Sequence, residues 1–409
     1  MNHRFERVAV PLIGAFVLSA PTVGQAEVAN ETEIDAYLSS QVETTRVPGL
    51  VALVTDSEEI IYTHSAGVRD TAGNAPMAED TIFRIASMTK PVAATIIMML
   101  VEDGKLSLDD PIERYLPEFG ERGIVESFDP ESGAYTTRAA TTDATIRQLL
   151  SHSSGLAYGF ASDIATGIAA SPDAPSPDTF PLLYEPGTAW SYAGGIALVG
   201  SVVERIEGAG LDTVMRDRLF QPLGMHDTSF IVPARNHERV ATIHRLDENG
   251  MLSEAPNPID IRSGVSGDGG LNSTVTDYAR FIQLFLNDGV TPNGRRLLSS
   301  ESIREMATNQ LGNRTVTLMD EPTPLLARAF PLGADRDGFG LGFQVTGPHR
   351  DDARAEGSLS WAGIFNTEFW IDPATGIGGV LMMQYLPFYD ADAIETLVGF
   401  EELVYRGIR

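Results

Sequence analysis

The chain has 409 residues, no cysteine, 43% hydrophobic and 21% charged residues, and a net charge of −27. This is ordinary composition for a globular protein, and it excludes both disulfides and cysteine-linked lipid. So acidic a surface repels phosphate backbones and anionic membranes, so neither is expected as a partner.

"MNHRFER" carries Arg4 and Arg7, an apolar run "VAVPLIGAFVLSA" follows, and Gly24 and Ala26 stand where a signal peptidase reads. The pattern is a secretory leader over residues 1–26, too short to span a bilayer. The expected product is periplasmic or secreted, with residues 27–409 as a single catalytic domain.

"TEIDAYLSSQVETT" (32–45) reads as a surface helix, and "GLVALVTDSEEIIYTHSAG" (49–67) alternates like a hairpin around "DSEE". "PVAATIIMMLVEDG" (91–104) is apolar on nearly every side, the mark of a buried helix closed by Gly104. Residues 120–145 are polar and read as an excursion with a small hairpin. Helical patterns follow at 194–208, 210–224 and 274–289. Three strand candidates, 340–345, 365–372 and 376–385, precede a last helix at 393–406. Strands at both ends around a helical middle predict an α+β fold. One antiparallel sheet (about 27–85 plus 330–409) carries the terminal helices, and a helical lobe (about 86–329) is inserted. The cleft between sheet and lobe is the expected site.

The chemistry centres on "FRIASMTKPVAA" (83–94). Only two of the 29 basic residues are lysines, Lys90 and Lys105, and Lys90 follows Ser87 by three. With 27 serines in the chain, roughly one such sequence in eight would show this spacing by chance, so position must decide. Pro91 lacks the N–H that a regular helix would direct at the Ser87 carbonyl, so Ser87 belongs to the first turn, where free N–H groups face outward. Lys90 opens an all-apolar helix, where an idle lysine would be costly. An amine held in such surroundings can accept the proton of a neighbouring hydroxyl, and the Ser87 N–H can support an oxyanion.

Two further segments add to this: "PGTAWSYAGGIALVG" (186–200) with Tyr192, and "SWAGIFNTEFWID" (360–372) with Trp361 and Gly363. The order SMTK, aromatic–Ser–Tyr and Trp–x–Gly resembles the serine β-lactamase and penicillin-binding-protein superfamily. Its nearest look-alikes are class C β-lactamases and family VIII carboxylesterases. The resemblance runs over the whole mature chain, including "IRQLLSHSSGL" and "GGLNSTVTDYARF". It implies a β-lactamase/transpeptidase-like fold, with Ser87 as the acylated nucleophile and Lys90 and Tyr192 as its proton-transfer groups. It also implies an oxyanion hole at the N–H groups of Ser87 and Ile364. A phenol acts as a base only beside a cation, and Lys90 is that cation. Trp361, Gly363 and Tyr158 are expected to contact substrate, and His152 to be structural. No metal or other cofactor is expected.

Two departures set the substrate. β-Lactamases usually carry Tyr-x-Asn and Lys-Thr-Gly; here Gly194 stands at the asparagine and Trp361 at the lysine. Losing that lysine removes the charge-assisted contact an anionic lactam needs, and Trp361 offers an apolar wall instead. Cleavage of a small-molecule carboxylic ester is therefore the first expectation. The alternatives are a β-lactamase or D-amino-acid peptidase, an acyltransferase on the same scaffold, and a non-catalytic protein binding cell-wall fragments.

Overall fold

A computed structural model describes residues 26–255, 264–348 and 353–408, so the leader expected over residues 1–26 lies, but for Ala26, outside the described residues. The hairpin forms as its alternation predicts, with β1 over Gly49–Thr55 and β2 over Ile60–Asp70, followed by a short β3, Ala75–Pro76. The far end of the chain adds β4 (Gly338–Phe339), β5 (Gln344–Val345), β6 (Leu359–Gly363), β7 (Thr367–Asp372) and β8 (Ile377–Met382). They assemble one eight-stranded sheet in the order β4-β5-β6-β7-β8-β1-β2-β3. Every pairing is antiparallel, including the long-range pair β1–β8, in which Val51 faces Met382.

Both faces of the sheet are covered, which is why all seven residues of β1 are buried. Leu50, Ala52 and Val54 point to one side. There they pack with Ile34 and Leu38 of α1 (Glu31–Thr44) and with Leu397 and Phe400 of the C-terminal helix Ala391–Gly407. Val51 and Leu53 point to the other side, into the core shared with the lobe. That core holds α2 (Thr89–Glu102), in which Thr89 through Leu100 are all buried, so the helix has no solvent face. It also holds α3 (Gly195–Glu207) and α4 (Val275–Leu286), the latter capped by the Thr274 hydroxyl on the Asp277 N–H at 3.1 Å. The C-terminal helix is α5.

The expected strand over 340–345 is instead two short strands either side of a turn. Gly342 there has φ +86° and the Gly340 N–H bonds the Phe343 carbonyl at 2.8 Å. Glycine takes that φ without steric cost, and "GFGLGF" spends its glycines on the bend. The excursion after residue 120 does form its hairpin, Ile124–Phe128 against Tyr135–Arg138. Among the described residues no helix is long and apolar enough to cross a membrane.

Candidate active site

Ser87 lies in a single turn, Ala86–Met88, that runs directly into α2. Pro91 can be the third residue of α2 because its missing N–H falls within the first turn, where no intrahelical partner is required. Ala86 has φ +43°, a strained value for a residue with a side chain, and such strain persists only where the surroundings hold it. Three neighbours do so. The Tyr278 hydroxyl of α4 donates to the Met88 carbonyl at 2.9 Å, the Ile85 N–H bonds the Leu271 carbonyl at 3.0 Å, and Gly363 at the end of β6 presses on the Ile85 carbonyl. The turn's own bonds run from the Met88 and Thr89 N–H groups and leave that of Ser87 outside them.

One helical turn on, Lys90 has no exposed surface. Its Nζ lies 3.0 Å from Ser87 Oγ and 2.7 Å from the main-chain oxygen of Asp268. The rings of Tyr192 and Tyr158 stand 4.9 Å and 5.2 Å from the same nitrogen, centroid to atom. An amine so enclosed has one fixed acceptor and one hydroxyl facing it. It is arranged to exchange a proton with Ser87.

Tyr192 precedes α3 and is 2% exposed. His152, Trp361, Phe330 and Tyr158 surround its ring at 5.0–5.4 Å, each close to edge-on. His152 sits at the centre of this aromatic box with neither ring nitrogen hydrogen-bonded, and burial, then the Lys90 charge, hold it well below the usual histidine range. It is neutral and apolar in effect. Tyr158 is shifted the other way: burial first, then the Asp268 carboxylate, push its phenol well above the usual value. It remains protonated and donates to Asp268 Oδ2.

These groups bound a pocket of about 530 Å³, its mouth included. Ser87 is at its floor and Ile364 beside it, and Tyr158, Tyr192, Trp361, Phe160, Phe330, Phe388 and Tyr389 form most of the wall. Among the described residues no charged side chain lines it. Of the residues singled out from sequence, Ser87, Tyr192, Trp361, Tyr158 and Ile364 line this pocket, Lys90 stands behind Ser87, and Gly363 stands beside it as a packing contact. Asp268 and Ser266 were not singled out: their signal, the glycine-flanked "SGDGG", reads as a loop, and the group facing Lys90 is a main-chain oxygen. Among the described residues no group of three or more His, Asp or Glu is placed to hold a metal ion.

A second polar row lies elsewhere. Ser39 Oγ is 3.2 Å from His64 Nε2, and His64 Nδ1 is 3.0 Å from Asp35. Ser39 is in the middle of α1, where N–H groups are spent inside the helix, so this row has no oxyanion donor of its own.

A family model described as beta-lactamase matches residues 34–400. An uncharacterized protein of Mycobacterium tuberculosis is 35% identical over 371 residues, covering 86% of this chain and 89% of its own. Esterase EstB of Burkholderia gladioli is 28% identical over 372 residues, covering 85% and 89%. Among solved structures, the LovD6 mutant of simvastatin synthase from Aspergillus terreus superposes with a TM-score of 0.77 at 24% identity, over 92% of this chain and 95% of its own. Spanning sheet and lobe alike, the match is to the whole fold that carries Ser87 and Lys90, and the chain belongs to the beta-lactamase family of serine hydrolases.

Proposed function

We propose that this protein is an exported carboxylesterase that works through an acyl-enzyme on Ser87. The observation that carries the reading is Lys90 Nζ, fully buried, 3.0 Å from the Oγ of Ser87, which lines an aromatic pocket that no charged side chain among the described residues enters. Ser87 Oγ attacks the ester carbonyl carbon as its proton passes to Lys90, and Tyr192 relays that proton to the departing alcohol. The N–H groups of Ser87 and Ile364 support the oxyanion. The C–O bond to the alcohol then breaks, leaving the acyl group on Ser87. Water repeats the sequence, the acid leaves, and Ser87 regains its proton.

Neutral esters with compact aromatic or branched acyl groups suit such a wall. A lactam carboxylate would meet Trp361 and no lysine, and Gly194 offers no amide to the lactam ring. The esterase relative at 28% identity supports this direction. Export is supported by the leader pattern of residues 1–26. The test is hydrolysis of p-nitrophenyl butyrate and of a chromogenic cephalosporin by the parent and by Ser87→Ala, with mass analysis after a fluorophosphonate. We expect ester turnover well above lactam turnover, one adduct on Ser87, and loss of both in the variant; parental ester turnover in Ser87→Ala would overturn the reading.

A further inference from the structure

The loop that ends in Asp268 is fitted against α3 without room to spare: Gly267 lies so close to the Ile196 carbonyl that a Cβ there would clash. This fixes the main chain at residues 267–268, and with it the carbonyl oxygen that accepts from Lys90 Nζ at 2.7 Å. Two donors hold the side chain of Asp268. Ser266 Oγ reaches Oδ1 at 2.5 Å, and the Tyr158 hydroxyl reaches Oδ2. The pair Tyr158–Asp268 also fills the space beyond Gly194, where a Cβ would lie 3.3 Å from both Asp268 Oδ2 and Tyr158 Cε1. Where Tyr-x-Asn enzymes place an amide, this chain places a clamped carboxylate.

We propose that Tyr158 and Asp268 are positioning residues for Lys90. Clamping the carboxylate keeps the Asp268 carbonyl, and not its charge, as the group that meets the amine. A carbonyl accepts an N–H from an amine as well as from an ammonium, so it orients Nζ toward Ser87 while favouring the proton-bearing form less than a carboxylate would. A freed carboxylate could swing to Nζ and favour the proton-bearing form, which cannot act as the base. Among the described residues, the groups that face Nζ are Ser87, the Asp268 carbonyl, the faces of Tyr158 and Tyr192, and the neutral His152.

The inference rests on the acyl-enzyme reading, so Ser87→Ala is run alongside: parental turnover there would sink that reading, whereas the pH limbs of the Tyr158 and Asp268 variants test this one. Tyr158→Phe, Asp268→Asn and the double variant are compared by kcat, KM and the pH profile of kcat/KM on p-nitrophenyl butyrate. We expect Tyr158→Phe to lower kcat about ten-fold, with KM changed less than about three-fold, and to move the acid limb to higher pH. Asp268→Asn, whose amide oxygen still accepts from Tyr158, should lose about three-fold and move the limb the other way. The double variant should be more active than Tyr158→Phe alone, because no charge is left to swing. An acid limb unmoved in both single variants, or losses that simply multiply in the double, would overturn the proposal. If Tyr158→Phe does not fold, the limb of Asp268→Asn decides alone: a shift down sustains the proposal and no shift overturns it.

Discussion

Gly363 packs so closely on the carbonyl of Ile85 that no side chain fits between them; Thr367 Oγ1 closes the same space from β7. The glycine of "WAG" therefore joins the last residue of β6 to the turn that carries Ser87. Gly363→Ala should push β6 off that turn. We expect a stability loss of about 1–3 kcal/mol, as for other overpacked sites, seen as a lower urea midpoint. Because Ile364, the proposed oxyanion donor, follows directly, we also expect kcat to fall more than KM rises, since such a donor acts mainly in the transition state.

Lys90 is one of two lysines, and the proton transfer proposed for it is chemistry that arginine could not supply. Arginine keeps the charge but does not give up its proton, and its planar head does not fit a site shaped for one nitrogen. Lys90→Arg should therefore lower kcat by about two to four orders of magnitude, the range general acid–base groups contribute. Stopped-flow measurement of the p-nitrophenol burst checks it. A burst rate near the parent's would show that charge alone suffices.

That Ser87, Lys90 and Tyr192 would meet was legible because a hydroxyl, a scarce amine and a phenol are residue types whose side chains declare their chemistry, and Pro91 fixed the first of them to a helix start. The hairpin and the terminal helices were legible because burial imposes a period on them. Asp268 was not, because it meets Lys90 through a main-chain oxygen, which any residue could supply, across 178 positions of chain. The bend at 340–343 was missed for the opposite reason: "GLGFQV" has strand-like apolar residues, and the turn closed by the Gly340 N–H on the Phe343 carbonyl leaves no mark in an apolar pattern. Tyr158 was assigned to the pocket, but its hydrogen bond to Asp268 could not be read from a lone aromatic after "SSGLA".

Trp361 closes one side of the pocket, buried and edge-on to Tyr192 at 5.1 Å. Trp361→Ala removes that wall. We expect kcat/KM for p-nitrophenyl acetate to fall about ten-fold or more and that for the benzoate ester to fall less, so that preference moves to bulkier acyl groups. The cavity should cost about 3–5 kcal/mol. An equal fall for both esters would mean that Trp361 supports the fold without sorting substrates.

His152 makes the acid limit of stability a specific expectation. Burial and Lys90 depress its folded-state value below the 6.5 of a free histidine. The unfolded chain thus takes up a proton that the folded one refuses, and stability falls as pH drops below about 6.5. His152 has φ +54°, which asparagine tolerates, so His152→Asn is the suitable variant. It should be less stable at pH 8 because the aromatic box is left underfilled. Between pH 6.5 and 5 its stability should decline less steeply than the parent's, by up to about 1.4 kcal/mol per pH unit. Urea midpoints at each pH measure both effects, and parallel slopes would remove His152 as the source.

Glu368 gives the converse case at the back of the sheet. It lies on β7 opposite Ala362 and lines a second cavity shared with Ser360, Tyr389 and the Arg354–Glu401 ion pair, whose nitrogens and oxygens meet at 2.7 Å and 2.8 Å. Glu401 already engages Arg354, and burial is the larger influence on Glu368, so its carboxyl is pushed well above 4.5. Here the folded chain holds a proton that the unfolded chain has lost. The stability this supplies is complete below about pH 4.5 and drains away as pH rises toward the folded value. Glu368→Gln keeps the shape and has no proton to lose. Its urea midpoint should match the parent's near pH 4.5 and exceed it at pH 8, by about 1–2 kcal/mol after conversion. A variant that is less stable than the parent at pH 8 would mean that Glu368 is ionised there and that Arg354 serves two carboxylates.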